Sequence, residues 1–248
     1  MHSTSIHTPP TDLLYHASLF LDFDGTLVEI AERPDAVRVD ARLSAVMHRL
    51  HDRMEGRIAV ITGRPAAQVR ELLAADFVVV GSHGMEFVER GGARREPERP
   101  GTLDEVLAEM RGLAGRRPGV LVEDKPLGAA LHFRQCPDAE AECVELASGL
   151  AGRHGLHLQP GKMMVEVRAA GGDKGTAIRA LLREPEMAGT RPVFMGDDHT
   201  DEPGFVAAAE LGGAGVLIGE RRETAALYRL EGVEATLAWL EAASAEAA

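Results

Sequence analysis

Cysteine is nearly absent from this 248-residue chain: Cys136 and Cys143 are the whole complement. Two are too few for a disulfide framework, and nothing around them has the spacing of metal ligands, so both read as structural. No apolar stretch approaches the ~18 residues that a membrane span requires. The opening MHSTSIHTPP lacks the charged and apolar regions of a secretory signal, and the expectation is a cytoplasmic protein with no membrane attachment. Basic charge is also short, with 27 Lys and Arg against 39 Asp and Glu and a net charge of −12. That balance argues against a nucleic-acid surface or binding to an anionic membrane. A small anionic substrate is not excluded, because a few cations and a bound metal reverse the field inside one cleft. The 45% hydrophobic content is ample for a folded core.

From Ser18 to Val88, short apolar runs alternate with helical periodicity, which predicts βαβ units around a parallel sheet. SLFLDF reads as the first strand, and Asp40 as the N-cap of a helix whose buried face carries Leu43, Val46, Met47 and Leu50. RIAVIT is the second strand, Pro65 opens a helix facing inward through Val69, Leu72 and Leu73, and FVVVGSHG is the third strand. EFVER with the Gly91-Gly92 turn predicts a hairpin arm. After the stretch from Arg94 to Pro100 the order becomes α-β-β-α-β-β: a helix near Thr102 to Leu113, GVLVEDK, GAALHFR, a helix from Asp138 to about Arg153, LHLQP and KMMVEVR. Such an order belongs to an antiparallel sheet covered on one face. The first rhythm returns at Asp173, with a helix to about Leu182, the strand PVFM, the loop GDDHTDE, a short helix, the strand GVLIG and a closing helix carrying Leu237, Trp239 and Leu240.

The expected fold class is therefore α/β: a doubly wound, Rossmann-like parallel-sheet core from residues 18–96 and 170–248, with an inserted α+β domain at 97–169. A crevice between the two is the natural place for a ligand. Residues 1–17 read as a flexible leader, and the alanine-rich end from Ala242 to Ala248 as a fraying tail.

Asp22 and Asp24 stand two apart at the end of the first strand, so both side chains are expected to enter one small volume. Carboxylates so placed repel unless a cation lies between them, and hard oxygen donors favour Mg²⁺. A bare D-x-D is as readily a turn in which one Asp caps the next segment. The GDDHTDE loop shifts that balance, because Asp197, Asp198 and Asp201 follow another strand of the same sheet, and five converging carboxylates without a counter-ion are strongly unfavourable. Lys174, after Gly171-Gly172, brings a cation and a helix start whose N–H groups suit an anion. Thr62, ahead of Gly63 and Arg64, adds a hydroxyl. Taken singly, Thr62 and Lys174 are more often caps or surface residues. Spacing leaves Asp198 and Asp201 open between metal ligation and orienting the ligands.

Together the segments LDFDGTL, VITG, Lys174 and GDDHTDE resemble, in order, the four motifs of the haloacid dehalogenase superfamily. The resemblance implies that Asp22 is a nucleophile forming an aspartyl-phosphate, and that Asp24 protonates the leaving oxygen and later activates water. It implies too that Thr62 and Lys174 hold phosphoryl oxygens, and that Mg²⁺ is held by a carboxylate of Asp22, the backbone carbonyl of Asp24, and Asp197. An Asp at the second position distinguishes phosphatases and mutases from dehalogenases in that superfamily. Phosphoryl transfer rewards this equipment, since it needs positioning and charge neutralisation above all.

In the middle third, strand parity sets Lys162, Met164, Glu166 and Arg168 opposite Met163, Val165 and Val167. Alternation in GAALHFR, and the spacing of Glu123 and Lys125, extend the pattern: one face buried, the other carrying Glu123, Lys125, Arg134, Lys162 and Glu166. Pattern alone favours a solvated, ion-paired face. Mixed acids and bases are also what polyol recognition requires, carboxylates accepting from hydroxyls and cations donating to them.

Here the resemblance narrows to the trehalose-6-phosphate phosphatase family, through LFLDFDGTL, ITGR where many members have SGR, GSHG followed by Glu86, VEDKPLGAALHFR, the Lys162 to Glu166 segment and GDDHTDE, over Leu19 to about Gly219. The family's disaccharide contacts would fall on Glu123, Lys125, Arg134, Lys162 and Glu166, with Arg64 and His83 as further contacts; His83 is equally a satisfied histidine at a strand end. Thr62 in place of serine keeps the hydroxyl, and Pro203 is positioned to start a helix. The resemblance implies a Mg²⁺-dependent, monomeric phosphatase acting on trehalose 6-phosphate. It further implies pairing with a separate synthase, since the chain has no room for the glycosyltransferase domain that some members carry. The competing readings are a phosphatase for another sugar phosphate, such as a sucrose, glucosylglycerate or mannosylglycerate phosphate, a catalytically silent sugar-phosphate sensor, and a phosphomutase.

Overall fold

The computed structural model describes residues 7–74 and 76–246. The chain divides into two compact units, residues 1–95 with 172–248, and residues 96–171. In chain order the first unit contributes β1 (Ala17–Leu21), α1 (Ala41–Arg53), β2 (Ile58–Ile61), α2 (Ala66–Leu73), β3 (Val78–Gly81), β4 (Glu86–Val88) and β5 (Arg94–Arg95). The second unit is α3 (Leu103–Arg116), β6 (Leu121–Lys125), β7 (Gly128–His132), α4 (Glu140–His154), β8 (His157–Gly161) and β9 (Met164–Arg168). The chain then returns to the first unit with α5 (Lys174–Leu181), β10 (Arg191–Gly196), α6 (Glu202–Glu210), β11 (Ala214–Ile218), β12 (Tyr228–Leu230) and α7 (Val233–Glu246).

The first unit is an eight-stranded sheet in the order β12-β11-β10-β1-β2-β3-β4-β5. It is parallel from β12 to β3, with β4 and β5 added antiparallel as the expected hairpin arm. Its central strands are apolar on both faces because helices cover both. Leu19, Leu21, Val60 and Val193 pack with Leu43, Val46, Met47 and Leu50 of α1 and Leu237, Trp239 and Leu240 of α7. Phe20, Ile61, Phe194 and Leu217 pack with Ile178 of α5 and Phe205 of α6 on the other side. Asp40 caps α1 as its position predicts, Oδ1 accepting from Leu43 N at 2.8 Å, and Pro203 stands in the first turn of α6. Successive strands run outward from β1 to β3 and, in the other direction, from β10 to β12. The order therefore reverses between β1 and β10, where open α/β sheets bind ligands beyond the strands' carboxyl ends.

Two expectations at the chain ends are corrected. Residues 7–17 are packed rather than flexible: Arg229 N donates to His7 O at 2.9 Å, Trp239 Nε1 donates to Pro9 O at 2.8 Å, and Leu14 is buried after a 3₁₀ turn at Thr11–Leu14. The tail does not fray at Ala242, because α7 continues to Glu246 with Ala243 and Ser244 buried. Residues 1–6 of the expected leader and Ala247 and Ala248 lie outside the described residues.

The second unit is an antiparallel sheet in the order β6-β7-β9-β8. Ala129, Leu131, Val165 and Val167 face the core built with Val106, Leu107 and Met110 of α3 and Cys143, Ala147 and Leu150 of α4. Cys143 is thus a core residue, and neither cysteine is in a disulfide. No helix among the described residues is long and apolar enough to cross a membrane.

Candidate active site

β1 ends at Leu21, two residues before SLFLDF does, and this alters the expected pairing of Asp22 with Asp24. Asp22 N still bonds to Met195 O of β10 at 2.9 Å, after which the chain curls, Gly25 N donating to Val28 O at 2.7 Å and Leu27 N to Phe23 O at 2.9 Å. A turn of this kind abolishes the two-residue pleat. The two carboxylates accordingly take different partners: Asp22 meets Lys174, and Asp24 meets Arg64.

Lys174 is the first residue of α5, whose start is fixed by a reciprocal cap: Asp173 Oδ1 accepts from Thr176 N at 2.6 Å, and Asp173 N donates to Thr176 Oγ1 at 2.8 Å. Its ammonium lies 2.7 Å from Asp22 Oδ1 and 2.6 Å from Asp201 Oδ1, with Lys174 only 2% and Asp201 0% exposed. Burial works against the charged lysine, but the Asp201 and Asp22 charges outweigh it and hold the ammonium above its ordinary range. Burial lifts the Asp22 carboxyl well above the usual carboxylate range; Lys174 opposes the rise, and Asp201 and Asp197 add to it.

Asp201 also closes the loop after β10, Oδ2 accepting from the amides of Asp197 and Asp198 at 2.8 Å each. Asp22, Asp197 and Asp201 each offer an oxygen within 4.8 Å of the others, a hard anionic donor set that suits Mg²⁺. Asp201 already spends one oxygen on Lys174 and the other on two amides, which makes it the orienting member and leaves Asp22 and Asp197 as the fitting pair. The side chain of Asp198 turns back to accept from His199 N at 2.6 Å. Gly25 brings the two aspartate loops together: its φ is +81°, and a Cβ there would overlap the Asp197 carboxylate.

Thr62 follows β2 and is buried, its N donating to Val80 O at 2.8 Å and its Oγ1 accepting from Arg64 N at 3.1 Å. The loop is laced to the segment after β3, with His83 N bonding to Thr62 O at 3.0 Å and Ser82 N to Arg64 O at 2.9 Å. That segment takes left-handed φ at Ser82, His83 and Gly84, and the His83 ring stands where a Cβ on Gly63 would be. Consecutive left-handed residues are strained and persist where surrounding contacts fix them.

In the second unit, register places Glu123, Ala130, Glu166 and Gln159 in one row across β6-β7-β9-β8. Lys125 Nζ donates to Glu166 Oε2 at 2.5 Å, and His132 Nε2 lies 2.8 Å from Glu123 Oε2. Burial opposes ionisation of Glu123, yet the His132 hydrogen bond and the Lys125 charge hold its carboxyl below the ordinary value. Parity placed Glu123, Lys125 and Glu166 correctly. Lys162, expected within the strand, lies before Met164, where β9 begins, and Arg134 lies beyond His132, where β7 ends. The two meet outside the ladder, Arg134 Nη2 donating to Lys162 O at 3.2 Å.

Three contributors escaped the sequence reading. Glu86 was noted without a role; it is buried, and Oε2 accepts from Ala66 N at 2.9 Å at the start of α2. Arg222 carries no motif signal, yet its Nη2 donates to Asp198 O at 2.7 Å and steadies the aspartate loop. His132 was legible only as a residue sharing the parity of the polar face.

Fold and site together define an α/β phosphatase, a phosphoric monoester hydrolase. The chain belongs to the trehalose-phosphatase family, whose model matches residues 20–234. It is 38% identical over 205 residues to a probable trehalose-phosphate phosphatase of Sinorhizobium fredii, covering 82% of this chain and 77% of that protein. Against the trehalose-6-phosphate phosphatase of Escherichia coli it is 35% identical over 225 residues, 90% of this chain and 84% of that one. A crystal structure of a trehalose-6-phosphate phosphatase related protein superimposes with a TM-score of 0.78 at 26% identity, over 90% of this chain and 95% of that one.

Proposed function

We propose that the chain is a Mg²⁺-dependent phosphatase that hydrolyses trehalose 6-phosphate to trehalose and phosphate through an aspartyl-phosphate on Asp22. The observation that carries this reading is the buried Asp22–Lys174–Asp201 cluster, a carboxylate held beside a fixed cation in the way that attack on an anionic phosphoryl group requires. An Asp22 oxygen forms a bond to phosphorus as the bond from phosphorus to the sugar oxygen breaks, and Asp24 gives that oxygen its proton. Asp24 then takes a proton from water as the water oxygen bonds to phosphorus and the Asp22–phosphorus bond breaks, releasing inorganic phosphate. Lys174 and the Thr62 hydroxyl hold phosphoryl oxygens through both steps.

Asp22, Asp197 and the backbone carbonyl of Asp24 would hold Mg²⁺, which when bound supplies charge neutralisation for the phosphoryl oxygens. Recognition of the sugar is assigned to Glu123, Lys125, Arg134, Lys162 and Glu166 of the second unit. The test is phosphate release from a panel of sugar phosphates that includes trehalose 6-phosphate, with and without Mg²⁺, beside Asp22→Asn. Selective, metal-dependent release that is lost in Asp22→Asn is expected. Release from a different sugar phosphate would keep the chemistry and discard the substrate, and release from none would overturn the reading.

A further inference from the structure

Arg64 stands among the expected substrate contacts, but its guanidinium is committed within the first unit. Nε and Nη2 donate to Oδ2 and Oδ1 of Asp24 at 2.6 and 2.8 Å, and Nη1 donates to the carbonyl of Pro34 at 2.8 Å. The guanidinium carbon also lies 5.9 Å from the centre of the Phe23 ring. A two-pronged pair of this kind fixes both the position and the plane of a carboxylate. The prongs are themselves anchored, since Arg64 N donates to Thr62 Oγ1 at 3.1 Å and Arg64 O accepts from Ser82 N at 2.9 Å. Asp24 needs such a fixture: it sits on a turn and its side chain is 31% exposed, a setting in which an aspartate ordinarily samples several rotamers.

We propose that Arg64 is a positioning residue that holds the Asp24 carboxylate in the orientation from which it exchanges a proton with the leaving oxygen and with water. This rests on the reading of Asp24 as the acid and base of the reaction. The same segment that offers Thr62 to the phosphoryl group thereby aims the acid.

The test uses the Mg²⁺-loaded enzyme with two substrates. Trehalose 6-phosphate leaves as an alkoxide that must be protonated, whereas p-nitrophenyl phosphate leaves as a stable anion. kcat/KM reports the step that breaks the bond to the leaving group. Asp24→Asn should cut kcat/KM for trehalose 6-phosphate by roughly 10²–10⁴-fold and that for the aryl ester far less. Arg64→Ala should show the same contrast at about 10–10²-fold, with kcat rather than KM carrying the loss and with little added to Asp24→Asn in the double variant. Arg64→Lys keeps the charge and loses the fork, and should fall on the same side; it also stands in should Arg64→Ala fold poorly. Equal loss on both substrates, a rise in KM for the sugar alone, or additivity with Asp24→Asn would overturn the proposal. An Asp24→Asn enzyme without the leaving-group contrast would instead overturn the assignment of Asp24.

Discussion

Replacing Lys174 by methionine keeps the length of the side chain and removes a cation that touches both Asp22 and Asp201. Breaking a buried pair by removing one partner costs about 3–5 kcal/mol, because the remaining charge is left buried and uncompensated. Here two carboxylates lose the same partner, and one of them, Asp201, is 0% exposed. For a chain of this size about 2–4 °C of melting temperature is lost per kcal/mol, so a fall of about 6–20 °C is expected by circular dichroism in buffer without divalent ions. The Lys174→Met/Asp201→Asn pair should lose much less than the sum of its parts. Asn retains an oxygen for the Asp197 and Asp198 amides and no longer presents an orphaned charge, and coupling of this kind is what contacting residues show. A Lys174→Met protein melting within about 2 °C of the parent, or strict additivity in the pair, would refute the reasoning, since either would mean that the ammonium is not what neutralises the two carboxylates.

Gly25→Ala is expected to lower kcat by about 10²-fold, because a Cβ there strikes the Asp197 carboxylate on a backbone with φ +81° and pushes two aspartate loops apart; steady-state kinetics at saturating Mg²⁺ read the change, and near-parental kcat would sink the argument. In the second unit, Glu166→Gln leaves Lys125 without its 2.5 Å carboxylate partner, and phosphate-release assays should show KM for trehalose 6-phosphate rising about tenfold while p-nitrophenyl phosphate is unaffected. Deletion of residues 1–16 removes the Pro9 carbonyl that accepts from Trp239 Nε1 at 2.8 Å. Since Trp239 is the single tryptophan, its emission should shift to the red and the melting temperature fall by several degrees; unchanged emission would mean that the segment is not packed against α7.

The strands of the parallel sheet were legible because they are short apolar runs closed by glycine or proline, and the helices between them because their buried positions recur every three or four residues. β12 was not, being a three-residue edge strand, Tyr228–Leu230, that shows neither alternation nor a run. The alanines after Ala242 suggested fraying, yet alanine is also the strongest helix former, and the buried Ala243 and Ser244 let packing decide. The leader misled for a similar reason: the opening is polar in composition, but the backbone at His7 and Pro9 is tied to Arg229 and Trp239, more than two hundred residues further on. At the candidate site, residue types and spacing singled out Asp22, Thr62, Lys174 and Asp197, each of which follows a strand or starts a helix. The partners of Asp24 and Asp201 are set by tertiary geometry, and no local pattern in the chain announces that Arg64 reaches across to Asp24.

The five carboxylates that looked set to converge are kept from mutual repulsion by being given separate neighbours. Asp24 is taken by the Arg64 fork, Asp198 by the amide of His199, and one oxygen of Asp201 by the amides of Asp197 and Asp198. Beside Lys174 stands the trio Asp22, Asp197 and Asp201. A divalent cation held there would, with Lys174, offset the negative charge of the trio, so that a phosphate dianion would meet a fixed ammonium and a metal rather than the field of a chain at −12. Local compensation of this kind would let an acidic protein take an anionic substrate.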